Sequence, residues 1–96
     1  MKFKPALAKE LSSYAEKGEL DKAIGLLVRL NKDELAECKA LTWLGAGREN
    51  PKHWDALVIE AKAKMDDETA RLLAEDKNLA HDLTRGLERM EEAGRV

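Results

Sequence analysis

Cysteine occurs once in this chain, at Cys38, so no intrachain disulfide framework can form and a reducing compartment is implied. Strand-favouring residues are scarce: three Val, two Ile and four aromatics, too few to build a sheet. No uncharged apolar run approaches the roughly 18–20 residues of a membrane span. The opening Met1-Lys2-Phe3-Lys4 enters a charged helix instead of a long apolar stretch, so no secretory leader is expected. The cytoplasm is the expected location.

What is present is charge and aliphatic surface. The chain is 44% hydrophobic and 38% charged over 96 residues, against roughly 25% charged in an average globular protein. Apolar stripes separated by dense charge are the mark of short amphipathic helices. A chain of this length supplies one domain, 1–96, with a single core and little room for an enclosed chamber. The formal net charge is −2. Residues 1–65 hold twelve Lys and Arg against ten Asp and Glu; residues 66–96 hold five against nine. No basic cluster stands out, which argues against nucleic acid, since phosphate neutralisation carries much of that affinity.

Pro5 suits the first turn of a helix, and Leu7, Leu11 and Tyr14 follow at helical spacing until Gly18. Leu20, Ala23, Ile24, Leu27 and Val28 form a second stripe, predicted to face the core together. Asn31 and Glu34 have the spacing of a capping box. The helix they open contains the uncharged run Ala40-Leu41-Thr42-Trp43-Leu44-Gly45-Ala46-Gly47, so it is predicted to be the central, buried helix. Gly45 or Gly47 can supply the left-handed residue that ends it. Asn50-Pro51 is an N-cap and N1 pair, followed by the stripe Trp54, Leu57, Val58, Ala61 and Met65. Asp66-Asp67-Glu68 places negative charge at the next helix start, with Ala70, Leu72 and Leu73 predicted to face inward. Asp76-Lys77-Asn78 interrupts, and Leu79, Leu83, Leu87 and Met90 make the last stripe before Gly94. The prediction is an all-α fold, a compact bundle or orthogonal array of five to six short helices. One stretch, from Tyr14 to Leu27, has the spacing of a tetratricopeptide unit. It has no second copy, so an αα-hairpin explains it better.

Three of these stretches carry a family likeness. Leu30-Asn31-Lys32-Asp33-Glu34, the block from Ala40 to Gly47, and the ordered series Trp54, Thr69-Ala70, Leu72-Leu73, Leu79, Leu83 and Gly86-Leu87 resemble the bacterial domain of unknown function DUF3775. The likeness covers about residues 30–90. Ala46 stands where that family usually has Arg, and Arg48 replaces the acidic residue that usually follows the second Gly. The resemblance implies a small helical bacterial protein and no particular activity.

Chemistry-bearing patterns are thin. His53, His81 and Cys38 are far apart, with no metal-ligand spacing among them, so no metal site is assigned. Gly45-Ala46-Gly47 lacks the remainder of any phosphate or dinucleotide motif, so no cofactor is assigned. Ser12 and Ser13 have no histidine near in sequence, and Cys38 lies on an apolar helix face, so no nucleophile or catalytic residue is assigned. Trp43 and Trp54 are the largest apolar groups. Both suit a core; either suits an interface, where Trp and Arg recur as anchors. If the corner at 45–51 folds back, Trp43, Arg48, His53 and Trp54 come together as a partner-binding surface. The expectation is a non-enzymatic helical protein-binding module. It would be a regulator or inhibitor acting by protein–protein contact in a bacterium or its phage, with another protein or a second copy as partner. No membrane contact or small-molecule substrate is indicated. The alternative is a DNA-associated regulator using a helix-turn-helix-like unit over 41–58.

Overall fold

A computed structural model of the protein describes residues 1–95. Each helix begins and ends for local reasons. Pro5 opens α1 (Pro5–Glu16), and a turn at Gly18 leads to α2 (Leu20–Val28). The box at α3 (Lys32–Gly45) is complete: Asn31 Oδ1 accepts the Glu34 backbone N–H at 2.8 Å, and Glu34 Oε1 accepts that of Asn31 at 3.0 Å. Such a reciprocal pair satisfies two donors that a helix start otherwise leaves open. At Asn50 the cap serves a short 3-10 turn, Pro51–His53, which runs into α4 (Trp54–Ala63). The acidic stretch before α5 (Thr69–Glu75) works through Asp66, whose Oδ1 accepts the Glu68 N–H at 2.9 Å and whose own N–H donates to Thr69 Oγ1 at 3.0 Å. Asp76 Oδ1 accepts the Asn78 N–H at 2.8 Å just ahead of α6 (Leu79–Glu92). Among the described residues the fold is all-α, six α-helices around one core.

α3 occupies the centre, with α6 and α4 packed on it; α1 lies on α6, and α2 bridges α1 and α5. One apolar cluster takes residues from every helix. The stripe Leu79, Leu83, Leu87 and Met90 is buried as predicted, as are Trp54, Leu57 and Ala61 of α4. The Cα radius of gyration is 11.9 Å, against about 12.5 Å for a single domain of this length.

Three inward assignments are corrected. Leu20 and Val28 are exposed, Val28 at 63%. The buried arc of α2 is Ala23, Leu26 and Leu27, with Leu30 beyond the helix end. That is the predicted stripe rotated by about one residue, or 100°. The sequence offers two overlapping apolar arcs on α2, and contact with α1 and α5 selects between them. Leu72 is 56% exposed, because in seven residues α5 can turn only one i, i+4 pair inward, here Thr69 and Leu73.

The N-terminal segment adds a feature that periodicity does not reveal. Phe3 is fully buried, and its backbone N–H donates to Glu37 Oε1 at 2.6 Å. Glu37 is thus the one acidic side chain among the buried residues of α3, and the charge-assisted bond compensates its burial. Lys2 and Lys62 both pair with Asp33, which ties the N-terminus and α4 to the first turn of α3.

Candidate functional site

The end of α3 sets the site. Gly47, with φ +82°, takes the left-handed conformation that side-chain-bearing residues avoid. The chain reverses there: the Gly47 N–H donates to Leu44 O and the Arg48 N–H to Trp43 O, both at 3.1 Å. This double closure, a Schellman motif, carries residue 48 back over residue 43. The Arg48 guanidinium then lies 4.8 Å from the centroid of the Trp43 ring. Lys39, one turn earlier on α3, brings its ammonium to 5.6 Å, and so does Lys64 from the end of α4. Three cations therefore surround one half-buried indole, whose negative face attracts them by about 0.5–1 kcal/mol each at such exposure.

Arg89 of α6 fixes the corner from below. Its Nη1 donates to Leu44 O at 2.6 Å and to Glu49 O at 3.0 Å. A cation at the C-terminal end of a helix is favoured by the macrodipole, and the second bond ties the chain beyond α3 to α6.

Beside Trp43 runs a cleft of about 420 Å³ between α3 and α5. Its lining includes Trp43 with Lys39, Arg48 and Lys64, the exposed Leu72 of α5, and the carboxylates Asp66, Asp76 and Asp82. These acids are already engaged. Asp66 and Asp76 hold the backbone N–H groups described above, and Asp82 Oδ1 lies 3.2 Å from His81 Nδ1. The cations are freer. Lys64 pairs with Glu60 at 3.1 Å, while among the described residues Lys39 and Arg48 enter no ion pair.

Of the four predicted site residues, the structure brings together Trp43 and Arg48. Trp54 is 6% exposed and belongs to the core, and His53 sits on the exposed 3-10 turn; neither lines the cleft. Sequence reasoning missed Lys39, Lys64 and Leu72. Lys39 was within reach, because i and i+4 share a helix face. Lys64 was not, since only the packing of α4 on α3 delivers it.

The other chemistry-bearing groups lie elsewhere. Cys38 is sealed in the core, where burial pushes its thiol up to about 12. Among the described residues no three His, Cys, Asp or Glu side chains are grouped to hold a metal, and no helix is long and apolar enough to cross a membrane. A larger trough of about 580 Å³ runs between α1 and α2 past Tyr14 and Leu26, with one cation over its aromatic ring, Lys22 at 6.0 Å from the Tyr14 centroid. Glu10 accepts from the Tyr14 hydroxyl at 3.0 Å, and Glu34 is spent on the α3 cap.

A family model described as "Protein of unknown function (DUF3775)" matches residues 17–91. The match reaches further toward the N-terminus than the likeness read from 30–90, and takes in α2. Phe3 and all of α1 lie before it. No curated protein and no solved structure matches the chain.

Proposed function

The chain belongs to the family of proteins of unknown function DUF3775, and we propose that it is a non-enzymatic protein-binding module whose contact surface is the Trp43 cleft. In this reading it is a small cytoplasmic regulator or inhibitor, of bacterial or phage origin, that acts by covering part of another protein. The observation that carries the reading is the half-buried indole of Trp43 with Arg48, Lys39 and Lys64 gathered over it. Trp and Arg dominate binding energy at protein interfaces, and an aromatic ring held by its own corner needs little ordering on binding. The sealed Cys38 thiol supports a role outside nucleophilic catalysis, which requires a reachable thiolate.

A DNA-reading role for α4 has weaker support. Its outward face carries Asp55 and Glu60 around Ile59, which is 70% exposed. Lys62 and Lys64 are committed to Asp33 and Glu60, so few cations remain for phosphates.

Capture from a lysate of the source cells tests the reading. The intact protein and Trp43→Ala, both shown folded by circular dichroism, are immobilised side by side. A partner retained by the first and lost by the second is the expected result. Equal retention by both sinks the assignment of this surface.

A further inference from the structure

We infer that α2 pairs with the α2 of a second copy of this chain, the two helices antiparallel across a two-fold axis beside Ile24. This surface is separate from the Trp43 cleft and does not rest on the reading given to that cleft.

The arc of α2 that the core leaves out sets the contact. Ala23, Leu26 and Leu27 are buried, and α1 and α5 are the helices most closely packed on α2. Leu20, Ile24 and Val28 follow one another at i, i+4 and i+8 on the other arc, a single ridge of the helix. Leu20 is 42% and Val28 63% exposed, with Ile24 half-buried between them. Removing such a row from water is favourable, and within one chain the described residues leave both of its ends open.

The charges identify what covers it. Asp21 and Arg29 are exposed, and among the described residues neither enters an ion pair. Eight residues apart on one helix, they stand about 12 Å from one another along its axis, too far to pair together. An antiparallel second copy sets Leu20 against Val28, Ile24 against Ile24 and Val28 against Leu20. It also brings each Asp21 to the Arg29 of the other copy. The aliphatic row is centred on Ile24 and the charge pair on Gly25, its neighbour, so one two-fold axis serves both, as a self-complementary contact requires. An unrelated helix would have to reproduce the row and the opposed charges together; a second copy carries them already. Ile59 of α4 is as open as Val28, but it forms no such row. The exposed residues one turn from it, Asp55, Ala56, Lys62 and Ala63, include no large aliphatic.

α2 is nine residues long, about 14 Å. The contact is therefore smaller than the roughly 800 Å² per partner of a standard interface, and the dimer is one that dissociates on dilution.

The test is sedimentation of the intact protein from about 10 μM to 1 mM, the span in which weak association shows. The parent should shift toward dimer as its concentration rises. Asp21→Arg and Arg29→Asp, each shown folded by circular dichroism, should weaken association about tenfold or more, because each sets like charges together twice. Mixed in equal amounts, the two variants should associate as the parent does, since one chain then carries both cations and the other both carboxylates. Val28→Ser should weaken association with no charge altered, and Trp43→Ala should leave it unchanged. A parent that stays monomeric at the highest concentration overturns the inference. So does parental association in either charge variant or in Val28→Ser, a mixture that stays monomeric, or a dimer lost with Trp43→Ala.

Discussion

Gly45 and Asp82 meet backbone to backbone: a Cβ built on Gly45 would fall 1.8 Å from the Asp82 carbonyl oxygen. One turn along, the relation is reversed, and a Cβ on Gly86 would lie 2.2 Å from Leu41 O. The pairs Leu41–Gly86 and Gly45–Asp82 run in opposite order, so α3 and α6 cross antiparallel with a glycine from each helix at the contact. Gly45 is therefore kept for close approach, while Gly47 supplies the left-handed turn.

Substitution at these glycines should divide by what a methyl group meets. Gly45→Ala and Gly86→Ala drive a methyl into backbone that cannot rotate aside. Each should lose about 2 kcal/mol in urea titration, an overpacking cost of about 3 kcal/mol less a helix-propensity gain of up to ~1 kcal/mol. Gly25 lies inside α2 with nothing within 4 Å of an added Cβ, so Gly25→Ala should gain about 0.5–1 kcal/mol. A Gly45→Ala protein as stable as the parent would show that the helices separate freely, against the packing described.

The two tryptophans should separate by the same kind of measurement. Trp54, at 6% exposure, fills core volume, and Trp54→Ala should cost about 3–5 kcal/mol. Trp43 is partly open to its cleft, and Trp43→Ala should cost less than about 2 kcal/mol with the helical signal unchanged. Acrylamide should quench the Trp43 emission far more than that of Trp54. Similar losses for both would make Trp43 a core residue and remove the basis for a contact surface.

Much of this was legible in the residues. The stripe Leu79, Leu83, Leu87 and Met90 has a single apolar arc, and the Asn31–Glu34 box is a purely local device, so periodicity and spacing settle both. Where two arcs compete, as on α2, the chain alone does not say which neighbour will arrive. The site divides in the same way. Trp43 and Arg48 are joined by a six-residue closure that the Gly45–Gly47 pair announces, whereas Lys64, Leu72 and Arg89 reach the corner only through the packing of α4, α5 and α6. Trp54 looked equivalent to Trp43 because size and apolarity do not distinguish a ring facing the core from one facing a cleft.

Acid should expose the Asp33 clamp. Hydrogen bonds from Lys62 and then Lys2, with the charges of both, hold its carboxyl at about 2, below the ordinary 3.8. A folded-state value below the unfolded one favours folding above the unfolded value, and that contribution disappears as pH falls through the folded one. The stability difference between the parent and Asp33→Asn should therefore be constant at neutral pH, shrink below about pH 4, and be gone near pH 2. A difference that persists unchanged at pH 2 would mean that the ion pairs contribute nothing and that Asn fails there for another reason.

Phe3 offers the sharpest check on the role of the N-terminal segment, because it lies before the family-matched region 17–91 and yet is fully buried. If the matched part formed a self-sufficient core, Phe3→Ala would be nearly neutral. The structure argues otherwise: the ring joins the core cluster and its N–H satisfies the buried Glu37 carboxylate. The expected cost is about 3–5 kcal/mol, a large fraction of the 5–15 kcal/mol that holds a small domain together. Glu37→Gln keeps an acceptor for the Phe3 N–H and should lose much less than Glu37→Ala, which leaves that donor buried and unpaired. Near-parent stability for Phe3→Ala in urea titration would mean that the segment before α1 is dispensable.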